Sequence, residues 1–313
     1  MRIVFMGTPD FAVPSLEILL QNNFMVSAVV TAPDKPRGRG QQVSFTPVKE
    51  CALKHSIPVL QPDSLKDPQF ISALQALDAD LFVIVAFRIL PREVYTIPKK
   101  GSFNLHASLL PKFRGAAPIN WAIITGEKES GVTTFFLQDK VDTGNIIIQE
   151  RTPITEHMNA GELHDVLSLI GSTTVLKTVQ MIEQGTAAPL PQDNSLASPA
   201  PKIFKETCRI DWNQSSDKVH NFIRGLSPYP AAWTVHDKKV IKIFKCRIEK
   251  EQNLVSGPKI QIPGEFFIRE SKLCVKTAVS QVEILELQQE GKKRMSADEF
   301  IRGYRFAEVN RFE

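Results

Sequence analysis

Cysteine is scarce in this sequence: 313 residues hold four, Cys51, Cys208, Cys246 and Cys274. None stands in a Cys-x-x-Cys pair and none falls at zinc-ligand spacing, which argues against a disulfide scaffold and a thiolate metal site. A reduced, cytoplasmic compartment is the expectation. Long apolar runs are also missing. The longest, residues 81–87, falls far below the roughly 20 residues a membrane-spanning helix needs. The apolar start of the chain soon meets Gly7, Pro9 and Asp10 and reads as a strand, not as a signal peptide. A glycine-rich dinucleotide loop is lacking too. Gly7-Thr8-Pro9-Asp10 contributes one glycine, and Pro9 removes a backbone donor, so a nicotinamide cofactor is weakly supported. The Gly-x-x-x-x-Gly-Lys-Ser/Thr phosphate loop is absent, which disfavours a bound nucleoside triphosphate, and no His/Cys/Asp cluster suggests a metal.

What is present suits a two-domain globular protein: 313 residues, of which 42% are apolar. The net charge of +4 is modest, but its distribution is uneven. Residues 1–200 carry 17 Lys and Arg against 19 Asp and Glu, net −2, and residues 201–313 carry 21 against 15, net +6. A basic C-terminal third suits a polyanionic partner, because cations that meet phosphates release condensed counterions. A merely solvated surface is the alternative.

The first 150 residues alternate strand and helix. Strands are expected at residues 2–6, 25–31, 58–60, 79–87, 102–106 and 132–137. Helices are expected from Asp10 to Asn22-Asn23, with Leu16, Leu19 and Leu20 on one face, and over residues 64–77, entered through Asp67-Pro68. Within the fourth of these strands, the unbroken apolar run at residues 81–87 suits burial on both faces. This order predicts an α/β, Rossmann-like, mostly parallel sheet with helices on both faces. A further helix opens at Asn159, where Glu162 completes a capping box and Leu163, Val166, Leu167 and Ile170 form the apolar stripe. Residues 186–201, with Pro189, Pro191, Pro199 and Pro201, read as a linker. Beyond it come a helical segment at residues 216–226 and strands at residues 232–236, 240–246, 264–268, 273–277 and 282–287, a small β-barrel of OB-like type. The expected division is a catalytic domain at residues 1–189, a linker at 190–206 and a C-terminal β-barrel at 207–313. Residues 32–42 form an insertion in which Arg37-Gly38-Arg39-Gly40 alternate charge and glycine, the composition of an exposed cationic loop that could order against phosphate.

The chemistry concentrates in Phe103-Asn104-Leu105-His106-Ala107-Ser108-Leu109-Leu110-Pro111 and the following Arg114-Gly115-Ala116-Ala117-Pro118-Ile119. Asn104 and His106 stand two apart on a strand, so both side chains leave the same face. That strand ends in a Ser/Pro turn at the edge where open α/β sheets bind ligands. Asn supplies a fixed N–H donor, and His exchanges a proton near neutral pH. Taken alone, the pair has an ordinary structural reading. Asp142 lies in Asp139-Lys140-Val141-Asp142-Thr143-Gly144-Asn145-Ile146, a composition suited to a hairpin turn. The same turn could set a carboxylate beside His106, orienting the ring and favouring its charged form.

The run Asn104 to Ile119 and the later Asp142-Thr143-Gly144-Asn145-Ile146 resemble the folate-dependent formyltransferases, and the resemblance extends over essentially the whole chain. It includes residues 3–17, the insertion at 33–40, and segments 205–212 and 291–300; the insertion and the C-terminal domain favour the branch acting on transfer RNA. The resemblance implies 10-formyltetrahydrofolate as a consumed co-substrate, no metal, and the α-amine of initiator methionyl-tRNA as acceptor. It implies Asn104, His106 and Asp142 as catalytic groups, and Ser108, Leu109, Leu110 and Pro111 as the folate wall. Arg37, Arg39, Lys202 and Lys205 become RNA contacts, with Arg39 entering the acceptor-stem groove, and the enzyme is expected to be a soluble monomer. One stretch departs from the pattern. The family carries Ala-Tyr-Gly-x-Ile-Leu-Pro along the pterin pocket, whereas this chain reads Ala86-Phe87-Arg88-Ile89-Leu90-Pro91, without the glycine and one residue shorter.

Competing readings remain at this point. A formyltransferase for a nucleotide or sugar amine, or a 10-formyltetrahydrofolate hydrolase, would keep the same trio without needing the arginine-rich insertion. A non-catalytic RNA-binding protein on the same fold would not need the trio, and a nicotinamide-dependent dehydrogenase would need glycines this chain lacks.

Overall fold

Arg2–Gly7 (β1) is exposed at its first residue and buried over the next five, because it lies at the centre of a sheet covered on both faces. The computed structural model describes residues 1–37, 42–249, 262–304 and 310–313. The chain divides into two units, one of Met1–Pro118, Glu129–Pro153 and His164–Ala200, the other of Ile119–Lys128, Ile154–Leu163 and Pro201–Glu313.

In the first unit β1 is joined by Met25–Val30 (β2), Val59–Leu60 (β3), Leu81–Val85 (β4), Ser102–His106 (β5), Glu129–Phe136 (β6) and Ile146–Pro153 (β7). The 7-stranded sheet runs β7-β6-β5-β4-β1-β2-β3. Strands β1 to β5 pair in parallel, while β6 is antiparallel to both β5 and β7. The mostly parallel Rossmann-like sheet expected from sequence is therefore present. The connection from β6 to β7 is too short for a crossover, so those strands can only pair antiparallel. Alternation along β1 and β4 sends Val4, Met6, Phe82 and Ile84 to one face, where they pack with Phe70, Leu74, Leu90 and Val94. Ile3, Phe5, Val83 and Val85 are equally buried on the other face.

Local chemistry sets the helix starts. Helix Pro47–Lys54 has Pro at its N-terminus, where a missing N–H costs nothing, and the Thr46 hydroxyl accepts from the Lys49 N–H at 3.1 Å. The helix expected over residues 64–77 is confined to Pro68–Ala76, because Asp67 caps it by accepting from the Gln69 N–H at 3.0 Å. The insertion, read from sequence as a loop, carries a short antiparallel ladder, Lys35–Arg37 on Gln42–Ser44. Its stem is tied down by Asp34, which pairs with Lys49 and accepts from Gln61 Nε2 at 2.9 Å; the Lys49 contact holds the Asp34 carboxyl below its usual range.

The second unit contains the helix Ser216–Leu226 at the expected residues, capped by Ser215. Its antiparallel sheet orders Ala232–His236, Lys239–Ile248, Gln281–Gln289, Lys272–Lys276 and Phe266–Arg269, with Met295–Ser296 pairing Gln281–Gln289. The core joins Trp212, Ile223, Ile243, Phe266, Leu273, Ile284 and Phe312. At the start of Ala160–Gln184, the Asn159 N–H donates to Glu162 Oε2 at 2.9 Å and the Glu162 N–H to Asn159 Oδ1 at 3.0 Å, the reciprocal capping box expected from sequence. All four cysteines are unpaired and buried, and burial raises their thiols, Cys274 to about 11, so they act as small apolar core residues. Among the described residues no helix is long and apolar enough to cross a membrane, and no group of three or more His, Cys, Asp and Glu could hold a metal ion.

Candidate active site

Strand β5 ends at His106, between β4 and β6, with Asn104 opposite Ile84 and Phe135 and His106 opposite Thr133. The pleat places Asn104 and His106 on one face. His106 is buried, and its ring is fixed from one side: Nε2 lies 2.8 Å from the Phe113 carbonyl oxygen. A carbonyl only accepts, so Nε2 carries the proton and donates. The neutral ring then has its lone pair at Nδ1, and this nitrogen faces Asp142 Oδ2 at 3.9 Å. That separation exceeds a hydrogen bond and is an ion-pair contact once Nδ1 is protonated. Asn104 is half-buried, and its carboxamide has no hydrogen-bond partner among the described residues, so its donors are available to a ligand.

Asp142 occupies the turn between β6 and β7 with φ of 55°, a left-handed conformation that Asp tolerates better than most residues. Its Oδ2 accepts from the Gly115 N–H at 2.9 Å. Gln192 Nε2 donates to both the Asp142 and the Gly144 carbonyls, at 2.9 and 2.8 Å. Gly144 itself is required by close packing, since a Cβ there would stand 1.6 Å from the Phe136 carbonyl oxygen.

The turn after β5 is pinned from beneath. Thr133 Oγ1 donates to the Ser108 carbonyl at 2.6 Å and accepts from the Leu110 N–H at 3.1 Å, while Gln149 Nε2 reaches the Leu110 carbonyl at 2.7 Å. Ser108 is fully enclosed, its hydroxyl donating to the Lys112 carbonyl at 2.6 Å, and Leu110 is also buried. Leu109 and Pro111 retain partial exposure, so of the four residues expected along a folate wall these two present surface.

Arg88 turns its guanidinium to the main chain. It donates to the Pro62 and Asp63 carbonyls at 2.8 and 3.0 Å and lies over the Phe87 ring. Of the residues expected to meet RNA, Arg39 lies outside the described residues and Arg37 is described only through its backbone pairing with Gln42. Lys202 and Lys205, in the second unit, are exposed, with Lys202 over the exposed ring of Phe204. The fold thus brings His106 and Asp142 together with Asn104 on the same strand face. Sequence reasoning missed Gln192, Phe113 and Gly115. Phe113 and Gly115 act through backbone atoms, which leave no side-chain signal.

Proteins of known name share much of this sequence. Residues 1–179 match the family profile for formyl transferase and residues 202–305 that for the formyl transferase C-terminal domain. The methionyl-tRNA formyltransferase of Bacteroides fragilis is 48% identical over 319 aligned positions, covering 99% of this chain and 97% of its own length. The methionyl-tRNA formyltransferase of Chlorobium luteolum is 50% identical over 308 positions, covering 97% of each. Among solved structures, a sugar 3N-formyl transferase crystallised in the presence of dTDP and 5-N-formyl-THF superposes with a TM-score of 0.66 at 23% identity, over 94% of this chain and 99% of its own, a likeness of fold. Matched over more than half its length by the family profile, and nearly half identical end to end to members of it, this chain belongs to the formyl transferase family.

Proposed function

We propose that this enzyme transfers the formyl group of 10-formyltetrahydrofolate to the α-amine of methionyl initiator tRNA, at a centre formed by Asn104, His106 and Asp142. The observation that carries the chemistry is the fixed His106 ring, donating at Nε2 to Phe113 and facing Asp142 through Nδ1. The acceptor is supported by full-length relatives named methionyl-tRNA formyltransferase. The folate donor is supported by family membership and by the folate present with a fold neighbour.

The amine must be neutral to attack. A free α-amino group titrates near pKa ~7.7–8.0, and esterification of the carboxyl lowers that, so the reactive form is abundant at neutral pH. Attack forms a C–N bond and turns the formyl oxygen into an oxyanion, to which the unpaired Asn104 amide can donate. The attacking nitrogen, now positive, loses a proton to the free lone pair at Nδ1 of His106, on the side that faces Asp142. Asp142 stabilises the resulting imidazolium by charge. Nδ1–H then delivers that proton to the departing folate nitrogen as the C–N bond breaks. The products are N-formylmethionyl-tRNA and tetrahydrofolate, and the enzyme returns to its starting protonation. Leu109 and Pro111 offer apolar surface for the folate. Arg37, Arg39, Lys202 and Lys205 would meet phosphates, with the net +6 of residues 201–313 supplying sequence-independent attraction. We assign the enzyme to the cytoplasm as a monomer.

The test offers the purified enzyme 10-formyltetrahydrofolate with methionyl initiator tRNA, methionyl elongator tRNA or an amino-sugar nucleotide. Selective appearance of N-formylmethionine on the initiator supports the reading. Formylation of the sugar nucleotide alone would replace the acceptor and leave the centre intact.

A further inference from the structure

Gln192 lies in the proline-rich stretch after the helix Ala160–Gln184, in a segment whose composition reads as a linker. Its carboxamide is saturated. Both N–H groups are used, one on the Asp142 carbonyl and one on the Gly144 carbonyl, at 2.9 and 2.8 Å. Its oxygen accepts from Arg114 Nε and Nη2 at 3.1 and 2.6 Å. The amide orientation is therefore unambiguous: reversed, it would set oxygen against two carbonyls and an amino group against a guanidinium. Arg114 Nη2 is further held by Asn194 Oδ1 at 2.7 Å.

The same segment fixes the other contact to Asp142. The short parallel ladder Arg114–Gly115 on Pro199–Ala200 places the Gly115 N–H that donates to the Asp142 carboxylate. Asp142 is thus held at its carbonyl by Gln192 and at its carboxylate by Gly115, in a left-handed backbone conformation that does not persist unaided. Its carboxylate stands 3.9 Å from Nδ1, a distance at which a small displacement of the turn changes the interaction with an imidazolium considerably.

We propose that Gln192 is a positioning residue for the reaction: by bridging the carbonyls of Asp142 and Gly144 and docking on Arg114, it holds the Asp142 carboxylate opposite His106 Nδ1. The inference rests on the reading of Asp142 as part of the acid–base centre. Gln192 touches no reacting atom, so its contribution passes wholly through Asp142.

The test measures single-turnover formyl transfer, with enzyme in excess, for Gln192→Ala, Gln192→Glu, Asp142→Asn and the double variant Gln192→Ala/Asp142→Asn, alongside thermal melting. Gln192→Glu keeps the size and the Arg114 contact but loses both donors. Both Gln192 variants are expected to lower the transfer rate by roughly 10- to 100-fold, the scale of a sub-ångström to 1 Å misplacement of a catalytic group. The KM for donor and for RNA should stay within about twofold, since only a transition-state interaction is lost. On the Asp142→Asn background, Gln192→Ala should have no further effect. A wild-type rate for Gln192→Glu, or an equal fold-loss from Gln192→Ala on both backgrounds, would overturn the proposal and leave Gln192 as a support of the fold. A wild-type rate for Asp142→Asn would instead remove the acid–base reading on which the proposal stands.

Discussion

Replacing Asn104 with Ala is expected to separate catalysis from stability in this enzyme. The Asn104 side chain has no hydrogen-bond partner among the described residues, and it is half-buried midway along β5, so its truncation leaves no buried protein group unpaired. The melting temperature should change little. In the proposed mechanism the donor it supplies to the tetrahedral oxyanion has no substitute, because His106 Nε2 is committed to Phe113 and Nδ1 carries the transferred proton. Loss of one such donor costs about 2.7–4 kcal/mol of barrier, or roughly 100- to 1,000-fold in kcat. Asn104→Asp is nearly isosteric but replaces the donor with an acceptor and a negative charge, so it should fall at or below the Ala variant. Single-turnover transfer to methionyl initiator tRNA at saturating donor, with equilibrium binding of donor and RNA measured separately, isolates the step. A kcat within threefold of wild type in Asn104→Ala, with binding intact, would refute the oxyanion role. A loss confined to donor affinity would place Asn104 in ground-state binding instead.

Other outcomes follow from the same structure. Gly144→Ala should lower both kcat and stability, because the new Cβ would stand 1.6 Å from the Phe136 carbonyl and push the turn carrying Asp142 off its seat; unchanged melting and turnover would show that the turn yields freely. His220 is buried beside Arg224, and desolvation first and that guanidinium second lower its pKa to about 4. The unfolded chain then binds more protons than the folded one between about pH 6.5 and 4, so stability is full above that window and falls by at most about 3 kcal/mol as pH drops through it. Urea titrations of His220→Gln should give a shallower loss over that window, and an unchanged slope would assign acid sensitivity to other groups. Arg39→Ala should raise the KM for RNA far more than that for the folate donor, and equal losses would count against an RNA role for the insertion.

The legible parts of this fold were those written in local chemistry. The Asn159–Glu162 capping box, the Asp67-Pro68 helix entry and the helix Ser216–Leu226 depend on neighbours within one turn, and each appears where its residues demand. Asn104 and His106 were legible because strand alternation fixes their common face. The ladder within the insertion was not, since Lys35-Pro36-Arg37 and Gln42-Val43-Ser44 hold a single β-branched residue, Val43, and a proline between them. Gln192 was invisible for a different reason. Its partners lie 48 to 78 residues away in sequence, and it sits among prolines and small polar residues that spell linker. The fixing of His106 by the Phe113 carbonyl was equally hidden, because a backbone acceptor has no residue identity to read.

The most direct measurement follows an isotopic label in the formyl carbon of 10-formyltetrahydrofolate into product, with wild-type enzyme and with Asp142→Asn. Label is expected on the α-nitrogen of methionine attached to initiator tRNA, with one tetrahydrofolate released per label transferred and most of that rate lost in Asp142→Asn although its fold survives. Label recovered as free formate, or transferred at an undiminished rate by Asp142→Asn, would contradict the proposed mechanism.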